Sequence, residues 1–113
     1  MEVRSRREDL YTYVDVIGDL DVAGAPRLRA EIEQALSDPP NLVLDLSRVP
    51  FCDSVGLGVL VATLNRVRHA NGRLILVVAP GMITHLLTIT NLDRHFETAA
   101  TLGDAQAALG AAA

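Results

Sequence analysis

Lysine and tryptophan are absent from this 113-residue chain, and cysteine occurs once. Without lysine the chain has no Walker A phosphate loop, no pyridoxal Schiff base and no lysine nucleophile. Aromatic residues make up only 4%, too few for the stacking platforms that hold single-stranded nucleic acid. The lone Cys52 can form neither an internal disulfide nor a multi-cysteine metal site. No apolar h-region follows Met1, so no secretory signal is expected. The longest weakly interrupted apolar run, residues 74–83, falls well short of the ~20 residues of a membrane span. A soluble cytoplasmic protein is expected.

What is present is globular. Hydrophobic residues are 50% and charged residues 21% of the chain. All ten basic side chains are arginine, and fourteen acidic ones bring the formal charge to −4. Such a balance disfavours non-specific binding to nucleic acid or to an anionic membrane. Arg4, Arg6 and Arg7 sit among Glu2, Glu8 and Asp9 and read as a solvated edge strand or tail. The length suits one domain over residues 1–113, with its core at about 10–109. It can bury one core, but not a core plus a large catalytic cavity.

Periodicity divides the chain into alternating elements. Residues 10–17 read as a strand, with Thr12, Val14 and Val16 on one face and Tyr11, Tyr13 and Asp15 on the other. Residues 3–7 pair with it through the acidic turn Glu8-Asp9. Pro26 opens a helix over 25–36, and Asp38-Pro39-Pro40 stops it. Residues 41–46 form a nearly continuous apolar strand, as expected of a central, doubly covered position. Asp53 or Ser54 caps a second helix, which ends at the glycine stop Asn71-Gly72. Its core stripe is expected at Leu57, Leu60, Val61, Leu64 and Arg68, with Val67 at its margin, leaving Val55, Val59 and Ala62 outward. A strand over 73–79 follows. The next helix opens at Pro80-Gly81 and has Ile83, Leu86, Leu87 and Thr90 on one face. A short strand over 95–99 precedes a last helix capped by Thr101 and reaching Leu109, and residues 110–113 read as a frayed end. This order implies an α/β fold: a small mixed, mostly parallel β-sheet with about four flanking helices.

The informative segment is residues 49–58, which join a buried strand to the second helix. Ser54 lies at the helix N-terminus, where unpaired N–H groups and the helix dipole favour an anion. A serine there serves equally well as a plain N-cap. Two observations speak for more. Gly56 and Gly58 each cost a helix ~1 kcal/mol relative to alanine, so close packing or a partner must require them. An outward apolar strip formed by Val55 and Val59 lies beside a modifiable serine and offers a docking surface, unless a later helix covers it.

Asp53-Ser54-Val55-Gly56-Leu57-Gly58 resembles the Asp-Ser-(Ser/Thr)-Gly-Leu-Gly signature of bacterial anti-sigma-factor antagonists, the STAS-domain family. Gly18-Asp19-Leu20-Asp21 resembles that family's Gly-Glu-(Leu/Ile)-Asp loop. Leu42-Val43-Leu44-Asp45-Leu46, with Val49 and Phe51, resembles its central strand and the approach to the signature. The likeness extends over residues 10–109. It implies a STAS-like domain and a transcription regulator that acts by partner switching. The unphosphorylated form would bind an anti-sigma factor with serine kinase activity and so free a sigma factor. Phosphorylation of Ser54 would break that complex, and a protein phosphatase would restore it. Asp21, Asp53, Ser54, Val55, Gly56, Gly58 and Val59 are the implied partner-binding residues, as a monomer or weak dimer. Val55 stands where the family commonly carries a hydroxyl.

Other chemistries fit the sequence poorly. Ser54 with His69, His85 or His95 could be imagined as a hydrolase triad, but Cys52 stands where a Gly-x-Ser-x-Gly elbow needs glycine. Three scattered histidines and one cysteine do not make a metal site. Gly56-x-Gly58 is too short for a dinucleotide fingerprint, so no cofactor is expected, and ATP would belong to the partner. Cys52 reads as a small buried filler. The alternative to the switch is a STAS scaffold, a subunit of a larger signalling or transport assembly in which Ser54 is only a cap.

Overall fold

A computed structural model describes residues 1–36 and 40–111 of the chain. Five strands, β1 (Glu2–Arg7), β2 (Thr12–Ile17), β3 (Leu42–Arg48), β4 (Leu74–Val77) and β5 (Glu97–Ala99), form one sheet in that order. Four α-helices, α1 (Ala25–Ala35), α2 (Ser54–His69), α3 (Met82–Ile89) and α4 (Leu102–Ala111), alternate with them. β1 runs antiparallel to β2, and the other three pairings are parallel. The mixed, mostly parallel α/β sheet expected from the sequence is the one observed.

Alternation in β2 buries Thr12, Val14 and Val16, and the two valines join the core beneath α1, α2 and α3. The opposite face packs Tyr11, Val43, Ile75 and Val77 against Ala105 and Leu109 of α4. β3 and β4 lie between these layers, so both of their faces are apolar. Asp45 is the buried polar residue of β3. It accepts hydrogen bonds from the Tyr13 hydroxyl at 2.5 Å and from Ser47 N and Oγ at 3.0 and 2.6 Å. Burial, together with the bond to Asp45, pushes the Tyr13 phenol well above its ordinary range.

The largest departure from the sequence-based expectation is the phase of α2. Its buried residues are Gly56, Val59, Leu60, Thr63, Leu64 and Val67. Except for Leu64, this is the expected stripe displaced by one residue towards the N-terminus. Arg68 lies outside the stripe, where it donates to the His95 carbonyl. Thr63 satisfies its hydroxyl on the Val59 carbonyl at 2.7 Å, which lets it sit in an apolar layer.

Element ends also shift. The left-handed residue after α2 is Asn71, at φ 63°. Gly72 is required for a different reason, because a Cβ there would lie 2.2 Å from the Pro40 carbonyl oxygen. β5 begins at Glu97, and a 3-10 turn over Leu92–Arg94 precedes it. α4 runs on through Gly110 and Ala111, where fraying was expected, and Thr101 Oγ1 caps it by accepting from Asp104 N. The expected stop at Asp38-Pro39-Pro40 lies, apart from Pro40, outside the described residues, as do residues 112 and 113.

Candidate functional site

Two loops at the carboxyl ends of neighbouring parallel strands meet here. Leu20, after β2, forms an isolated parallel bridge with Cys52, after β3. Leu20 N donates to the Phe51 carbonyl at 2.9 Å, and Asp53 N donates back to the Leu20 carbonyl at 3.2 Å. The approach is so close that a Cβ on Gly56 would lie 2.1 Å from the Leu20 carbonyl oxygen. Gly56 is thus demanded by packing within the fold.

Asp53 is the N-cap of α2, with extended backbone at φ −100° and ψ −174°. Its two carboxylate oxygens do different work. Oδ1 accepts from Gly56 N at 2.8 Å, which is the capping bond, and Oδ2 accepts from Val22 N at 3.2 Å across the loop boundary. Because Asp53 is the cap, Ser54 is the first helical residue. It is exposed, and its hydroxyl makes no hydrogen bond among the described residues. The N–H groups of Ser54 and Val55 precede any intrahelical acceptor, so the positive end of the helix dipole surrounds the hydroxyl.

The residues singled out from the sequence separate into two groups. Val55 is 41% exposed beside Ser54. Gly58 is exposed, and a Cβ there would meet nothing within 4 Å. Val59 and Gly56 are corrections to the expected surface. Val59 is only 1% exposed and belongs to the core, and Gly56 is buried against Leu20. Asp21 is half-buried, and its Oδ1 accepts from Ala23 N at 3.1 Å and Gly24 N at 2.9 Å, closing the turn into α1. Two apolar side chains near the serine were missed by sequence reasoning. Val22 is 66% exposed and Phe51 41% exposed. Each is a large apolar residue in a loop flanking a motif, a signal available to a reader who looked beyond the helix.

No hydrogen bond links Ser54 to a histidine among the described residues. His69 closes the same 16-residue helix that Ser54 opens, about 22 Å away at 1.5 Å rise per residue. His95 lies beside Arg68 at that far end of α2. Cys52 is buried, and burial, reinforced by the Asp53 charge, pushes its thiol up to about 11. At neutral pH it is a thiol, not a reactive thiolate. Among the described residues, no three His, Cys, Asp or Glu side chains are placed to hold a metal ion, and no helix is long and apolar enough to cross a membrane.

The chain and its fold resemble known proteins. The STAS domain profile matches residues 2–105. The anti-sigma-F factor antagonist RsfB of Mycobacterium tuberculosis is 37% identical over 90 residues, covering 78% of this chain and 72% of that protein. The anti-sigma-B factor antagonist of Bacillus subtilis is 32% identical over 92 residues, covering 81% and 83%. The crystal structure of an anti-sigma factor antagonist from Mycobacterium paratuberculosis superposes with a TM-score of 0.84 at 34% identity, covering 96% and 92%. Fold, signature loop and relatives agree: the chain belongs to the STAS-domain family of anti-sigma-factor antagonists.

Proposed function

We propose that this chain is a phosphorylation-switched antagonist with no catalysis of its own. Its unphosphorylated form docks on an anti-sigma factor that is also a serine kinase, and a sigma factor is released. That kinase then phosphorylates Ser54, the complex dissociates, and a phosphatase resets the protein. The observation that carries this reading is the Ser54 hydroxyl, which makes no hydrogen bond among the described residues. It stands exposed on the first turn of α2 while Asp53 holds the cap, so the fold itself makes no use of it. A phosphate there would add ~−1.5 to −2 charges next to Asp53. In a desolvated interface that charge repels and clashes. Val55, Gly58, Asp53 and Asp21 supply the surrounding contact surface in this proposal, with Val22 and Phe51 added to it.

The test is capture of partners from the native cytoplasm on wild-type, Ser54→Ala and Ser54→Asp baits. An ATP-binding serine kinase is expected on wild type and Ser54→Ala and is lost on Ser54→Asp. The same proteins on all three baits would overturn the switch and leave a permanent scaffold subunit in its place.

A further inference from the structure

We infer that Asp53 is a positioning residue that transmits the state of Ser54 to Val22. This rests on the proposed switch and names a second part of the surface that the switch moves. One carboxylate serves two segments: Oδ1 holds Gly56 N of α2 and Oδ2 holds Val22 N of the preceding loop. Val22 is the most exposed large apolar side chain among the described residues, at 66%. Asp53 therefore ties the backbone that carries this side chain to the first turn of α2.

A phosphate on Ser54 competes with this arrangement. Its oxygens are drawn to the unpaired N–H groups of Ser54 and Val55 at the same helix end that Asp53 occupies. The two anions repel, and the carboxylate must yield part of its bonding. The two bonds are unequal. The capping bond is 2.8 Å and part-buried, whereas the Val22 bond is 3.2 Å and exposed. The weaker, solvated bond gives way first. Leu20 stays in place through its backbone bonds to Phe51 and Asp53, and Asp21 keeps its own turn closed. The response is therefore local to the Val22 amide and the side chain it carries. In this account phosphorylation weakens docking twice, by adding charge at Ser54 and by releasing the apolar contact at Val22.

The test uses the full chain with phosphoserine placed at position 54 during synthesis, so no kinase is needed. Amide hydrogen exchange is read by NMR on the free protein. Val22 N–H is expected to exchange roughly two- to tenfold faster than in wild type, the range that one net hydrogen bond supports. Asp53→Asn is expected to do the same while Gly56 N–H keeps its rate, because asparagine retains a capping oxygen and replaces the other with a donor. An unchanged Val22 rate in the phosphoprotein overturns the inference even if partner capture is lost. An accelerated Val22 rate with undiminished partner capture upholds the coupling and overturns the switch. Faster exchange at Gly56 in the phosphoprotein, with Val22 unmoved, would show that the cap yields first and would also overturn it.

Discussion

Gly56 and Gly58 sit two residues apart in one helix, yet alanine should have opposite effects at the two positions. At Gly58 the added methyl meets nothing within 4 Å. The substitution removes the entropic penalty of a helical glycine and should stabilise the fold by ~0.4–1 kcal/mol. At Gly56 the same gain is available, but the new Cβ would stand 2.1 Å from the Leu20 carbonyl oxygen, 2.8 Å from its Cγ and 2.9 Å from its carbonyl carbon. Two of these atoms are backbone, and Leu20 is held by its bridge to Cys52, so no flexible tip can swing aside. Overpacking of this kind costs ~1–3 kcal/mol. Set against the propensity gain, the net expectation is a loss of about 1–2 kcal/mol. Urea denaturation of wild type and both variants, with equal m-values, measures the difference directly. Gly58→Ala should raise the midpoint and Gly56→Ala should lower it. Equal shifts of the same sign would refute the assignment of Gly56 to internal packing. If Gly58→Ala stabilises the chain but weakens partner capture, the open surface at Gly58 is reserved for close approach by the partner.

Two further tests follow from burial. Val59→Ala should cost about 2 kcal/mol in urea denaturation because the side chain lies in the core, whereas Val55→Ala should change stability by less than ~0.5 kcal/mol and act only on partner capture. Cys52 is raised in the folded state from the ordinary 9.0 to about 11. Its contribution to stability is therefore complete below pH 9 and lost between about pH 9 and 11. Stability measured across that range should fall less steeply in Cys52→Ala than in wild type. Parallel curves would place the alkaline loss elsewhere.

The order of elements was legible because the central strands β3 and β4 are short apolar runs and the connections carry their own punctuation, such as Pro26 at the start of α1. The signature loop was legible because two glycines in the first turns of a helix, directly after the cap candidates Asp53 and Ser54, are unusual. The phase of α2 was not. Apolar residues surround this helix at Val55, Leu57, Val59, Val61 and Leu64, so periodicity has no sharp maximum to report. The phase is set instead by the contact between Gly56 and Leu20, thirty-six residues apart in the chain (56 minus 20) and invisible to any local pattern. Thr63 was passed over as core for a related reason: its hydroxyl is satisfied by the preceding turn, which a hydropathy reading cannot know. The division between Asp53 and Ser54 was not legible either, because either residue is a good cap and only the loop geometry selects one.

Strand order along the sheet repeats strand order along the chain. A chain emerging from the ribosome can therefore lengthen the sheet at one edge, each new strand pairing with the one made just before it. Residues 20–22 and 51–56, which frame the serine, lie in the first half of the sequence. That frame can close while β4 is still unsynthesised. The second layer has the opposite timing. Val43 and Ile75 are covered only when α4 arrives with Ala105 and Leu109. Until residues 102–111 are made, the nascent chain carries the framed serine on one face and a bare greasy sheet on the other, and it is in this interval that a chaperone would find the chain.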